Sequence, residues 1–255
     1  MEKTVGIIIP ARYDSSRLPG KPLLDLNGKS MIQRTWERSI MALPAEQVYI
    51  ATDSDKIASH VESFGAKVVM TPSSCLTGTD RVAEANRQLK LDLVINVQGD
   101  EPIIDPADIT KVIDFSKKNP NSVVNAYAGI KSGDEYFSLT IPKLAKSKND
   151  DLLYMSRAPI PGGKTKKFDF AYKQICIYAF PKEKLEQFYR CETKSPFERV
   201  EDIEILRFLE MGVPVKLVAV SGNSMAVDTE KDAAKVIKFL QKTNPTSIRL
   251  DSPSL

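Results

Sequence analysis

Histidine and cysteine are scarce in this chain of 255 residues: there is one of the first and three of the second. The single histidine, His60, reads as a solvent-facing residue on a charged helix face, so a Ser–His or Cys–His nucleophilic pair has no base to draw on. Cys75, Cys176 and Cys191 are odd in number and lack metal-ligand spacing. That argues against a disulfide framework and fits a reducing cytoplasm. No apolar run is long enough to span a bilayer, and the opening residues lack a signal-peptide layout. No Gly-x-Gly-x-x-Gly follows the first apolar run, which disfavours the usual dinucleotide fold, and no Walker-type phosphate loop occurs. The net charge of +3 is too slight and too dispersed to point to nucleic acid. The lysine-rich stretches 143–148 and 164–167 read as exposed loops, and there is no internal repeat or low-complexity tract.

What is present starts at the amino end. Ile7-Ile8-Ile9-Pro10 reads as a buried parallel strand ended by its proline. Behind it comes a loop rich in Pro, Gly and Ser that carries Arg12, Arg17 and Lys21. In open α/β sheets ligands sit beyond the carboxyl ends of strands, so this loop is placed to hold an anion. An Asn27-Gly28 turn follows, and strand-like runs at 48–51, 67–70 and 93–97 then alternate with amphipathic helical stretches at 31–40, 57–64, 82–89 and 106–115. Gly65 stands where a helix C-cap glycine belongs, and Pro106 where a first-turn proline belongs. This alternation predicts a doubly wound, mostly parallel α/β sheet. After about residue 120 the pattern loosens. Strand-like runs at 123–128, 154–161 and 174–180 and a polar, irregular stretch at 131–151 predict a smaller β-containing lobe, about 121–190, inserted into a single domain spanning 1–255. Helices at 182–189 and 200–211, a strand at 215–220 and a last helix from about 230 complete the chain. The tail after Asn244 reads as loosely held.

With nucleophilic pairs set aside, the chemistry falls to carboxylates and cations. Asp100 follows a buried strand directly, over the same sheet edge as Arg12 and Lys21. Asp228 follows a short apolar segment ahead of the last helix. By itself Asp228 reads first as a helix N-cap with Thr229, and Asp100-Glu101-Pro102 as a surface turn. Together, two carboxylates from two strand ends suit Mg²⁺, which takes few carboxylates plus phosphate oxygens and water. With Lys21 and Arg12 they make a coherent triphosphate site. Displacement at phosphorus needs positioning and charge neutralisation rather than a protein nucleophile.

The run from Ile9 to Leu23, Ile-Pro-Ala-Arg-Tyr-Asp-Ser-Ser-Arg-Leu-Pro-Gly-Lys-Pro-Leu, resembles the opening motif of the 3-deoxy-manno-octulosonate (Kdo) cytidylyltransferases. Ala51-Thr52-Asp53, Gly78-Thr79-Asp80-Arg81 and Asn96-Val97-Gln98-Gly99-Asp100-Glu101-Pro102 match further blocks of that family in order. Ser156-Arg157-Ala158-Pro159-Ile160-Pro161, Ile177-Tyr178-Ala179 and Val227-Asp228-Thr229 extend the likeness over about residues 5–240. The resemblance implies a nucleotide-diphospho-sugar transferase-like fold and transfer of CMP from CTP to the anomeric hydroxyl of Kdo, with Mg²⁺ and release of pyrophosphate. It implies that Arg12 and Lys21 bind the triphosphate, and that Pro10, Ala11 and Arg81 help hold the nucleotide. Asp100 and Asp228 would bind Mg²⁺, with Lys21, Arg12 and Asp100 as the catalytic set. Gln98, Arg157, Gln174, Tyr178 and Glu204 would face the sugar acid. A cytoplasmic homodimer follows from the same likeness, with the lobe carrying its interface.

The chain departs from the family at Cys75 and Thr77, and in the sugar-acid half, where Gln174 stands for a histidine and Ile205 for a glutamine. The nucleotide half is intact. A modified Kdo, such as the 8-amino form, or another ulosonic acid is therefore an alternative acceptor. A sugar-1-phosphate nucleotidyltransferase, whose opening loop is also basic, is the alternative enzyme class.

Overall fold

The computed structural model describes residues 3–14, 18–165 and 167–243. Arg17, Lys166 and the tail after Asn244 lie outside the described residues. The strands are β1 (Val5–Ala11), β2 (Val48–Thr52), β3 (Lys67–Met70), β4 (Leu93–Val97), β5 (Val123–Gly129), β6 (Lys143–Lys146), β7 (Leu152–Ser156), β8 (Tyr172–Pro181) and β9 (Val215–Ala219). The helices are α1 (Met31–Ser39), α2 (Asp55–Ser63), α3 (Gly78–Leu89), α4 (Pro106–Lys118), α5 (Gly133–Phe137), α6 (Lys182–Tyr189), α7 (Pro196–Glu201), α8 (Ile205–Glu210) and α9 (Glu230–Thr243).

One sheet runs β3-β2-β1-β4-β8-β5-β9, with β6 and β7 off that path. Pairing is parallel from β3 to β4 and between β5 and β9, while β8 runs antiparallel to both its neighbours. This is the mixed, mostly parallel α/β sheet expected from the alternation. The predicted lobe is resolved into parts: β5 and β8 are inner strands of the sheet, and the segment between them, carrying α5 and the β6–β7 pair, leaves its path. The polar stretch 131–151, read as irregular, holds α5 and β6. Side chains alternate across the strands. Ile8 and Val94 pack with Val82, Phe180, Phe188 and Phe208 on one face. Ile7, Ile9 and Ile95 pack with Ile32, Ile57, Ile109 and Val112 on the other. A strand buried on both faces has to be apolar throughout, which is why Ile7, Ile8 and Ile9 run together.

Several expectations are corrected. β1 continues through Pro10 to Ala11, because its pairing with β4 ends at Ile8–Asn96 and the proline meets only β2 beyond that point. Gly78 to Arg81 form the first turn of α3 rather than a loop, with Thr77 as N-cap accepting from Asp80 N. His60 is half-buried, its Nε2 2.7 Å from Ser30 Oγ and its ring edge-on to Phe64. Lys143 is not on an exposed loop. It is fully buried and donates to the carbonyls of Ser138, Ile141 and Arg157 at 2.7, 2.7 and 2.5 Å. The helix read over 200–211 is two helices, divided at Asp202, which adopts a left-handed φ of 52°. Its apolar stripe is continuous because Ile203, Ile205, Leu206 and Phe208 all enter one core cluster.

The break is held by a buried charge network. Arg207 donates to Glu198 Oε2 at 2.6 Å and to Asp80 Oδ1 at 2.7 Å, and its guanidinium lies 3.8 Å from the Phe188 ring centre. It therefore ties α8 to α7 and to the first turn of α3. Removing the cation would strand two buried carboxylates, so Arg207→Met is expected to cost about 3–5 kcal/mol of folding stability. Urea denaturation checks this, and a loss below about 1 kcal/mol would show that the network does not hold the helices together.

Candidate active site

Chain order places β2 on one side of β1 and β4 on the other, so the order reverses between β1 and β4. A crevice opens there beyond the carboxyl ends of the strands, the usual ligand position in such sheets. The loop after β4 is drawn in tightly. A Cβ on Gly99 would stand 2.7 Å from the Pro10 carbonyl oxygen, so only glycine lets the loop pass, and Asp100 follows immediately. The segment carrying Asp228 is tied to this same loop. Val227 N donates to Asp100 O at 2.9 Å, and the Ser224 hydroxyl donates to the Glu101 carboxylate. Upstream, Asp108 of α4 accepts from Ser221 N and Oγ at 2.9 and 2.7 Å. Gly222, at a φ of +69°, passes Ala128 where a Cβ would meet the alanine methyl at 2.4 Å.

These ties bring two carboxylates onto one cation. Lys21 Nζ donates to Asp100 Oδ2 at 2.9 Å and to Asp228 Oδ1 at 3.1 Å. Burial works against the ammonium, but the two carboxylates outweigh it and hold its pKa above the ordinary lysine value. Behind them, Glu101 is pushed up to about 7 by burial and by the charge of Asp100. The helix N-cap reading of Asp228 is set aside: Thr229 receives the Asp232 N–H at the start of α9, and Asp228 turns to Lys21.

A cleft of about 720 Å³ is lined by Pro10, Ala11, Arg12, Lys21, Arg81, Gln98, Asp100, Arg157, Gln174, Tyr178, Glu204 and Asp228, the residues expected to bind nucleotide, acid or metal. Their states differ. Arg12 is exposed, and its guanidinium has no hydrogen bond or ion pair among the described residues. Arg81 is buried and already engaged, donating to Asp53 Oδ2 at 2.8 Å and Thr71 Oγ1 at 2.6 Å. Arg157 gives its Nε to Glu201 O at 2.6 Å and an Nη to Asp202 O at 2.9 Å, which fastens it to the end of α7. Tyr178 is buried and stacks on Phe180, and burial pushes its phenol well above the usual range. Gln98 sits against Gly78, whose missing side chain leaves room for it. Ile205 is buried in the apolar core and does not reach the cleft.

Glu204 has a second task that its spacing did not reveal. Its two carboxylate oxygens accept from Gly78 N at 3.0 Å and Thr79 N at 2.7 Å, capping α3 from another part of the chain. Burial pushes this carboxyl up, against the pull of those amides. Also missed were the Asp80–Arg207–Glu198 network and the Asn125 amide behind Gln174. Asp80 and Arg207 carried a signal, lying inside the Gly78–Arg81 and Ile203–Arg207 stretches, but they meet across 127 residues, and Asn125 meets Gln174 across 49.

The donor set suits a divalent cation. Asp100 and Asp228 already converge on a positive charge from two separate loops. No group of three or more metal-ligating side chains stands together among the described residues, so such an ion would complete its shell with ligand oxygens and water. Among the described residues no helix is long and apolar enough to cross a membrane.

The chain is similar to known proteins along most of its length. Residues 6–218 match the sequence pattern of the cytidylyltransferase family. An 8-amino-3,8-dideoxy-manno-octulosonate cytidylyltransferase of Shewanella halifaxensis is 41% identical over 237 residues, 89% of this chain and 95% of that protein. Its counterpart in Shewanella loihica is 42% identical over the same shares. Among solved structures, a CMP:2-keto-3-deoxy-manno-octonic acid synthetase complexed with CTP superposes with a TM-score of 0.87 at 34% identity, covering 94% of this chain and all of that one.

The cap supplied by Glu204 is separable from any contact with a ligand. Glu204→Ala should cost about 1–2 kcal/mol in the ligand-free protein, because two amide N–H groups at the start of α3 lose their acceptor. Thermal unfolding without nucleotide measures it, and an unchanged melting temperature would remove Glu204 from the support of α3.

Proposed function

The chain belongs to the cytidylyltransferase family, and from that premise we propose that it transfers CMP from CTP to the anomeric hydroxyl of a Kdo-type sugar acid, 8-amino-3,8-dideoxy-manno-octulosonate, releasing pyrophosphate. The observation that carries the reaction is the junction of Lys21 with Asp100 and Asp228 at the β1/β4 reversal, in one cleft with the uncommitted Arg12. The choice of acceptor leans on the names of the relatives at 41–42% identity. It leans also on Gln174, the cleft-lining residue where the chain departs from the Kdo-specific pattern. Plain Kdo, the acceptor first expected from the motifs, is the weaker reading.

In this reading Arg12, open to the cleft and unpaired among the described residues, takes the outer phosphates of CTP. Lys21 is half-buried between two carboxylates that hold its pKa up, and in this reading it meets the charge that gathers on the triphosphate as the leaving group departs. The backbone of Pro10 and Ala11 forms the floor against which the nucleotide lies, and Arg81, held by Asp53 and Thr71, shapes its wall. Asp100 and Asp228 would hold Mg²⁺, which when bound supplies charge neutralisation on the triphosphate and makes the phosphorus more electrophilic. Arg157, whose Nη1 makes only the longer bonds to the Leu139 and Thr140 carbonyls at 3.2 and 3.3 Å, exchanges those for the acid's carboxylate. Gln98, Gln174 and Tyr178 line the remainder of the acid's side, and Glu204 serves it through α3. The cleft thereby aligns the anomeric hydroxyl with the phosphorus it attacks, so positioning supplies much of the acceleration. The free thiols of Cys75, Cys176 and Cys191 accord with work in the cytoplasm, where CTP is available. The exposed apolar side chains Phe137, Leu139 and Phe170, on the segment that leaves the sheet, accord with a homodimer.

Purified protein with Mg²⁺ is expected to release pyrophosphate from CTP in preference to UTP, ATP or dTTP, with the 8-amino acid favoured over Kdo. Asp100→Ala and Asp228→Ala should each lower turnover by roughly 10³-fold, and EDTA should stop it. Turnover of a hexose 1-phosphate with UTP or dTTP would overturn the assignment, and an unchanged rate for Asp100→Ala would overturn the metal site.

A further inference from the structure

At the acceptor end of the cleft, donor and acceptor roles are dictated by the backbone. β5 and β8 pair with an irregularity: Asn125 stands opposite Tyr178 and Ala126 opposite Ile175, so Cys176 and Ile177 have no counterpart in β5. The fully buried Asn125 side chain fills this bulge. Its Nδ2 donates to Ile175 O at 3.0 Å and to Ile177 O at 3.1 Å. Both amide hydrogens are used there, and carbonyls cannot donate, so the Asn125 amide has one possible orientation and Oδ1 is its acceptor. That oxygen receives Gln174 Nε2 at 3.1 Å. Turning the Gln174 carboxamide over would set oxygen against oxygen. Gln174 Oε1 is thus held as an acceptor, with no hydrogen bond among the described residues, in a side chain that lines the cleft.

A second acceptor with unmet capacity lines the same cleft. Asp134, exposed in the first turn of α5, has no cation partner among the described residues. The nearby lysine does not serve it, because Lys173 Nζ is paired with Glu135 Oε1 at 2.5 Å. An ammonium offers three donors, no acceptor and a positive charge; a hydroxyl offers one donor and no charge.

We propose that Asn125 is a positioning residue for acceptor selection: it orients Gln174 so that Oε1, together with the Asp134 carboxylate, reads an ammonium on the terminal carbon of the sugar acid, a role that rests on the CMP transfer proposed above. Asn125 touches no substrate itself; it acts through the Gln174 amide. The imprint it leaves is on selectivity rather than on nucleotide use.

The test compares kcat/KM for the 8-amino acid and for Kdo, each with CTP and Mg²⁺, in the wild type and four variants. Gln174→Met, which removes the acceptor at similar size, and Asp134→Asn, on the surface, should each lower the amino-over-hydroxyl ratio by about tenfold, the worth of a hydrogen bond to a charged group. Asn125→Leu should lower it equally with Gln174 intact, while KM for CTP stays within about twofold. Asn125→Thr keeps an oxygen that can receive Gln174 Nε2, and should hold the ratio within about threefold; it also covers the case in which the leucine variant does not fold. An unchanged ratio in Gln174→Met and Asp134→Asn would overturn the ammonium-reading end. Equal losses on both acids in Asn125→Leu, or a tenfold fall in Asn125→Thr, would overturn the positioning role. Wild type inert toward both acids with CTP would instead overturn the underlying CMP transfer, and this proposal with it.

Discussion

The close approach of two strand ends governs the site. Gly99 passes the Pro10 carbonyl with no space for a β-carbon, and this contact sets the β4 loop against the β1 loop. Asp100 then lies within 2.9 Å of Lys21 although 79 residues separate them. Asp228 arrives from the far end of the chain because Val227 and Ser224 are bonded to the same loop. A lysine between two carboxylates is a costly arrangement unless all three are held, since each half-buried charge depends on the others for compensation. The glycine contact and the two tethers supply that restraint.

The opposite wall of the cleft is organised by a different device. There the helices α7 and α8 are split at Asp202, and Arg207 anchors the second of them to Glu198 and to Asp80 in α3. The split allows Glu204 to turn back and cap α3, so the start of that helix, the cleft wall and the α7–α8 corner form one unit. Arg157 is fastened to the same corner through the carbonyls of Glu201 and Asp202. Lys143, buried beneath it, gathers three carbonyls, including that of Arg157. The buried cations of this corner, Arg207 and Lys143, have their acceptors in place, and such a network holds the cleft wall rigid.

Much of the fold was legible because both faces of β1 and β4 are buried, and the resulting apolar runs cannot be mistaken for solvated segments. The helix at 106–118 was legible from Pro106 in its first turn, and the turn at 27–28 from Asn-Gly, whose φ angles are 64° and 82°. Where reading failed, a local signal was overridden at a distance. A proline ends most strands, but Pro10 lies past the last β1–β4 pair and pairs only with β2, so its missing N–H costs no ladder bond. The stripe over 200–211 is apolar throughout, and a left-handed residue in its midst leaves no trace in hydrophobic period. Lys143 sits in a basic stretch whose composition is that of a loop, and it is buried because three carbonyls converge on it.

The amino-acid sequence by itself determined the alternation of strands and helices and the basic loop behind β1, and it marked Asp100 and Asp228 as candidates at two strand ends. Those follow from local periodicity and from motifs whose residues stand close together in the chain. Tertiary structure decided which cations are engaged among the described residues: Arg12 is open, Arg81 is bound to the half-buried Asp53, and Arg207 is bound to the buried Asp80 and Glu198. It also decided that Ile205 belongs to the core, that Glu204 caps a helix, and that Asn125 stands behind Gln174. The physical reason is the same in each case. A hydrogen bond needs its partner within about 3 Å, and partners 49 or 127 residues apart are brought to that distance only by the packed sheet.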